Sequence, residues 1–178
     1  MKNLKNLLSI FAVAGLFATG AFAQSTSENA TVSAEASIVS AITVANNADL
    51  LFGDILTSET PTIAATAANA GSVSITGATN GQTLNISAVF PATLTDGTPA
   101  NDLDLGSYDI AVRTDGTDDA TGATSPGDEA TATQTVTGSF TATTNTMYVY
   151  VGAQITDASS GVAGNDYSND ITVTISYN

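Results

Sequence analysis

The sequence predicts an all-β protein, an antiparallel β-sandwich of immunoglobulin-like or Greek-key type with about seven or eight strands. Three observations carry that expectation. Apolar or small residues alternate with polar ones at period 2 in segment after segment, which marks extended chain with one buried face. Gly, Asn, Asp and Pro gather between those segments, where turns need them. No stretch has the 3.6-residue periodicity of an amphipathic helix.

The first alternation runs over residues 32–44. Val32, Ala34, Ala36, Ile38, Ser40, Ile42 and Val44 form one face, while Thr31, Ser33, Glu35, Ser37 and Thr43 lie on the other, interrupted by Val39 and Ala41. This exceeds the 3–10 residues usual for a strand. The segment therefore reads in two ways: as the domain's own first strand passing from one sheet to the other, or as a free half ending at Ile38 and an own-sheet half over residues 41–44. Residues 63–70, IAATAANA, contain helix-favouring alanines but are too short for a stable helix and read as a loop with at most one turn.

Further strands follow in GSVSIT with Val73 and Ile75, QTLNISAVF with Leu84, Ile86 and Ala88, and SYDIAVR with Tyr108, Ile110 and Val112. TQTVTGSFTA supplies Val136 and Phe140, and an apolar run from Met147 continues to Ile155. At the C-terminal end Ile171, Val173, Ile175 and Tyr177 alternate with Thr172, Thr174 and Ser176. Asn80-Gly81, Asp96-Gly97 and the stretches 115–129 and 159–166 supply turns. Tyr148 and Tyr150 interleave with Met147, Val149 and Val151, so both faces of that strand are apolar and its outer face is expected to lie under a loop.

The N-terminal residues form a different pattern. Lys2 and Lys5 precede an apolar run over residues 7–17, and Ala21 and Ala23 flank Phe22, which is the arrangement of a secretory signal with an A-x-A cleavage site. The run is shorter than the roughly 20 residues that span a bilayer. Cleavage after Ala23 is expected, leaving residues 24–178 as one β-sandwich domain whose N-terminal strand lies within residues 24–45 and which has no integral membrane segment. Such a protein is secreted, to the periplasm, the cell surface or the medium.

Charge and missing residue types exclude several functions. The chain has Lys+Arg 3, Asp+Glu 17 and neither His nor Cys. Beyond Ala23 the 17 acids face Arg113 alone, a net charge of −16. A surface of that sign repels nucleic-acid phosphates and anionic lipid head groups. Without Cys or His there is no disulfide, thiolate nucleophile, Ser-His-Asp triad, usual zinc site or haem histidine. Paired carboxylates could serve a glycosidase, but there is no Trp to grip a sugar ring, and the Phe and Tyr residues fall mostly at core-facing positions. A non-enzymatic protein is expected.

The acids themselves gather in the predicted loops, at Asp102, Asp104 and Asp109, at Asp115, Asp118 and Asp119, at Asp128 and Glu129, and at Asp166 and Asp170. Oxygen-rich loop tips can hold calcium, and Asp115, Asp118 and Asp119 are the candidates. No run has the spacing of an EF-hand or a glycine-aspartate repeat, so solvated carboxylates that keep a secreted protein soluble are the simpler account, and no cofactor is expected. Arg113 is read as a solvated partner of Asp109 or Asp115.

Two stretches carry a resemblance. SAEASIVSAITVANNADLLFGDI, with Leu50, Phe52 and Gly53 in its Asp-Leu-Leu-Phe-Gly element, resembles the first strand and following turn of secreted bacterial domains related to spore coat protein U and to chaperone–usher fimbrial subunits. The ending, Asp166-Tyr167-Ser168-Asn169-Asp170 followed by ITVTISY, with Tyr167, Val173, Ile175 and Tyr177, is similar to the terminal strand of the same group. GSVSITGATNGQTLNISAVFPATLTDG resembles a sibling family known only as a domain of unknown function. The chain lacks the cysteines of the spore-coat group.

The resemblance implies an immunoglobulin-like sandwich built into surface fibres or an extracellular coat, self-associating or joined to related surface subunits. In fimbrial subunits an N-terminal strand fills a groove in the next subunit with alternating apolar side chains. Val32, Ala34, Ala36 and Ile38 have that phase and are the candidate strand-exchange residues. The alternative function is a calcium-stabilised adhesive or carbohydrate-binding module.

Overall fold

The structure is a computed structural model and describes Ser33 and residues 35–178. The expected signal sequence, Val32 and Ala34 lie outside the described residues. Where apolar residues alternate, the chain is extended and one side chain in two points to the core. Ten strands result among the described residues: β1 (Thr43–Ala48), β2 (Thr62–Ile63), β3 (Gly71–Thr76), β4 (Thr83–Val89), β5 (Thr93–Leu94), β6 (Leu103–Arg113), β7 (Gly127–Ala132), β8 (Thr135–Thr141), β9 (Thr146–Asp157) and β10 (Thr172–Tyr177).

All pairings are antiparallel. One sheet runs β1-β3-β9-β6-β5, with β2 added to β9, and the other runs β10-β4-β8-β7. Together they make the expected β-sandwich. Its core lies between the sheets: Ile75, Met147, Val149, Val151, Ile110 and Val112 from the first meet Leu84, Ile86, Ala88, Val136 and Phe140 from the second. A second apolar cluster covers the outer face of the larger sheet, where Ile63, Ala65, Ala70, Ala120 and Ala123 enclose Ala111 and Tyr150. The outer face bearing the tyrosines is thus covered, as the two-sided apolar pattern of β9 requires, and Tyr148 stacks on Tyr150 at 6.3 Å between ring centroids.

Gly152 makes that cover fit. A Cβ there would overlap the carbonyl oxygen of Ile63 and the amide of Ala65, so only glycine lets residues 63–65 lie directly on β9. The amide of Ala65 also donates to Asp109 Oδ2 at 3.1 Å. Residues 63–70 otherwise form turns, in line with their reading as a loop.

The structure differs from the sequence reading in three places. The strand expected over residues 32–44 starts at Thr43 instead, and residues 35–42 have no regular secondary structure. Small side chains at Ala36 and Ser40 bury too little surface to hold a strand, whereas residues from Thr43 onward find β3 as a partner. Asp104 and Asp109 lie on β6, and Asp128 and Glu129 on β7, rather than in loops. β2, β5 and β7 were not expected: two are only two residues long, and β7, GDEATA, is an edge strand whose acids hide its period.

From Ile38 to Asn178 the chain is one compact unit. Among the described residues no helix is long and apolar enough to cross a membrane.

Candidate functional site

The sandwich is unevenly closed. Along β4, the inward-facing Leu84, Ile86 and Ala88 are at most 2% exposed. Their cross-strand neighbours on β10 are Tyr177, Ile175 and Val173, which share that inward face yet are only half-buried. The reason is topological: β4 has a strand on each side, while among the described residues β10 pairs with β4 alone.

The facing sheet repeats the asymmetry. Val44 on β1 lies opposite Ile75 on β3; Ile75 is 0% exposed and Val44 36%. β1 is likewise an edge strand, and all its residues are exposed. Along these edges Ile42, Val73, Val173, Ile175 and Tyr177 pack against the main core while only partly buried, and Val44 is exposed.

Among the described residues one side of the β10 backbone has no partner strand. The amide of Asn178 donates to the carbonyl of Thr83 at 3.0 Å, which sets the phase of the β10–β4 ladder. Antiparallel ladders bond every second residue, so Thr172, Thr174 and Ser176 are directed at β4. The amides and carbonyls of Val173, Ile175 and Tyr177 point instead to the unpaired side.

Thr79 ties Tyr177 to Ser40. Its amide donates to the Tyr177 hydroxyl at 2.9 Å, and its Oγ1 accepts from the amide of Ser40 at 2.8 Å. Gly77, at φ +81°, lets the chain turn where a side chain would meet the carbonyl of Ala41. Leu50, Phe52 and Ile171 also pack on the core.

Of the candidate exchange residues, Ala36 and Ile38 are described; both are exposed, Ile38 at 95%, and neither is in a strand. Val32 and Ala34 fall outside the described residues. The residues of the resemblance have structural work. Phe52 touches all three apolar clusters, and Gly53 turns the chain after it at φ +70°. The Tyr167 hydroxyl accepts from the amide of Val162 at 2.7 Å, while Val173, Ile175 and Tyr177 lie on β10.

The acidic candidates do not converge. Asp115 receives the Arg113 guanidinium, with Nε 2.9 Å from both carboxylate oxygens and Nη2 at 2.8 Å from Oδ2. That charged partner holds the Asp115 carboxyl well below the usual carboxylate range. Asp119 accepts from the amide and hydroxyl of Thr121, at 3.0 and 2.7 Å, which also lowers its pKa. Asp118 accepts from the Tyr150 hydroxyl at 3.0 Å and from Asn47 Nδ2 at 3.0 Å. Each carboxylate thus already has protein donors, and among the described residues no three acidic side chains form a group able to hold a metal.

Sequence reasoning offered Asp109 or Asp115 as the partner of Arg113, and it is Asp115 that takes the guanidinium while Asp109 accepts from Ala65; it missed the cross-chain link of Asn47, Asp118 and Tyr150, in which Asn47 also donates to Ser72 at 2.9 Å. It also missed the edge positions of β1 and β10. No family model matches the chain, and no curated protein matches it.

Proposed function

We propose that this chain is a secreted, non-enzymatic structural subunit of cell-surface fibres or an extracellular coat, and that the edges formed by β1 and β10 accept an alternating strand from residues 31–38 of a neighbouring copy. The observation that carries this reading is the half-burial of Val173, Ile175 and Tyr177 and the exposure of Val44, residues whose cross-strand neighbours are buried. A strand laid there would cover them and take up the free backbone groups of β10.

The strand order supports the finer, immunoglobulin-like description. With β1, β3, β4, β6, β9 and β10 taken as A, B, C, D, E and F, the order β1-β3-β9-β6 is A-B-E-D, and β10 lies beside β4 as F beside C. Among the described residues no strand occupies the position of G beside F. That position is the one the donated strand fills. The motifs shared with spore-coat and fimbrial domains agree with this, since Val173, Ile175 and Tyr177 lie at the open edge. A signal sequence over residues 1–23 would deliver the protein for assembly outside the cytoplasmic membrane.

Deleting residues 24–38 tests the proposal. The full chain is expected to form filaments in electron micrographs and high-mass species on size exclusion, and the deletion variant to remain monomeric. Filaments unchanged by the deletion would refute strand donation.

A further inference from the structure

A second surface of the molecule stands out by what it lacks. The outer face of the β10-β4-β8-β7 sheet presents Thr172, Thr174 and Ser176 from β10, Asn85, Ser87 and Val89 from β4, and Thr135, Thr137 and Ser139 from β8. β7 adds Ala130 and Ala132 beside Thr137 and Thr135. None of β4, β8 and β10 contains a charged residue, in a chain with Asp+Glu 17 against Lys+Arg 3; the acids of this sheet, Asp128 and Glu129, lie on its edge strand β7. The outer face of the other sheet differs: it lies under the segments that carry Ile63, Ala65, Ala120 and Ala123.

We infer that this uncharged face is a lateral contact between two copies of the chain. Charge favours that occupant. Copies of so acidic a protein repel one another wherever carboxylates meet, and the β10-β4-β8 part of this face can be approached without placing acid against acid. Its chemistry is self-complementary, because each hydroxyl both donates and accepts and each amide does the same with its two ends. A two-fold contact of the face with itself therefore finds partners for its own groups. A neutral glycan fits less well, since the face presents no aromatic ring to stack on a sugar.

Area sets the strength. The three uncharged strands at about 4.8 Å spacing and about seven residues at 3.4 Å per residue give on the order of 300 Å² per copy. That falls well short of the roughly 800 Å² per partner of a standard stable interface. The contact is weak between single molecules and gains strength only when many copies are held in register, as along two adjacent fibres. It does not depend on strand exchange, which uses the edges formed by β1 and β10.

The test is concentration-dependent NMR of the full chain, with sedimentation at low and physiological salt. Amide shifts are expected to move with protein concentration at Ser87, Thr137 and Thr174, and association to strengthen with salt as the like-charge repulsion is screened. Ser87→Asp and, on the exposed edge strand, Thr174→Asp are expected to abolish both effects while keeping the melting temperature. Absence of concentration-dependent shifts on this face, their persistence in both variants, or shifts produced only by added neutral dextran would overturn the inference. Loss of filaments on deleting residues 24–38 without any change in these shifts would separate the two proposals.

Discussion

Two strands of nearly the same sequence character behave differently in this sandwich. β8, TVTGSFT, and β10, TVTISY, both alternate Thr or Ser with apolar residues, and both pair with β4. Val136 and Phe140 of β8 are buried, while Val173 and Ile175 of β10 are half-exposed. Position in the sheet accounts for the difference, since β8 has β7 on its far side and β10 has no described neighbour there. A period-2 pattern thus reports which side chains point inward, but not whether anything closes over them. An edge whose inward residues are apolar and uncovered is costly to leave in water, and that cost is what makes strand donation at β10 the favoured reading.

The contrast can be measured directly. Ile110→Ala, on β6 in the closed part of the core, is expected to cost about 4 kcal/mol, and Ile175→Ala, on the open edge, only about 1.5 kcal/mol, because less apolar surface is lost from a half-buried site. Urea midpoints with unchanged m-values would show it. Equal losses would mean that the edge is closed in solution. Gly152→Ala is expected to cost about 3 kcal/mol by pushing residues 63–65 off β9, with near-ultraviolet dichroism reporting the tyrosines they cover. Tyr150→Phe leaves one Asp118 oxygen without its donor and is expected to lower stability by about 1 kcal/mol, again read from urea unfolding.

The smallest effect is electrostatic. Asp96, Asp115, Asp119 and Asp157 all have pKa values lowered in the folded protein. Their stabilising contribution is present above the unfolded-state carboxylate value near 3.9 and is lost as pH falls through the lower folded values. Melting temperature is expected to drop below about pH 4. Arg113→Gln removes the partner of Asp115, so the carboxyl resonance of that residue should titrate nearer the ordinary range and the acid-side fall should become shallower.

Much of the fold was legible because alternation is a direct record of burial. β3, β4, β8, β9 and β10 fall where Val73, Leu84, Val136, Met147 and Val173 place them. The start of β1 was not, because residues 32–44 alternate without a Gly or Pro to punctuate them, and small residues at Ala34, Ala36 and Ser40 give the same pattern in a strand or outside one. That Arg113 pairs with a nearby acid was legible from spacing, but the choice of Asp115 over Asp109 was not, since Asp109 lies within β6 and accepts from Ala65 instead. The link from Asn47 through Asp118 to Tyr150 was not, since it joins residues brought together only by the β1–β3–β9 order. The open edge was hidden for the same reason: nothing in ITVTISY distinguishes an edge from an interior strand.

The central claim concerns the free side of β10, and amide hydrogen exchange at Val173, Ile175 and Tyr177 tests it most directly. In the variant lacking residues 24–38 these amides should exchange quickly, while those of Thr174 and Ser176, bonded to β4, exchange slowly. Adding a peptide of residues 31–38 should protect all three by at least tenfold, which corresponds to about 1.4 kcal/mol. Slow exchange without the peptide, or exchange unchanged by it, would contradict the account.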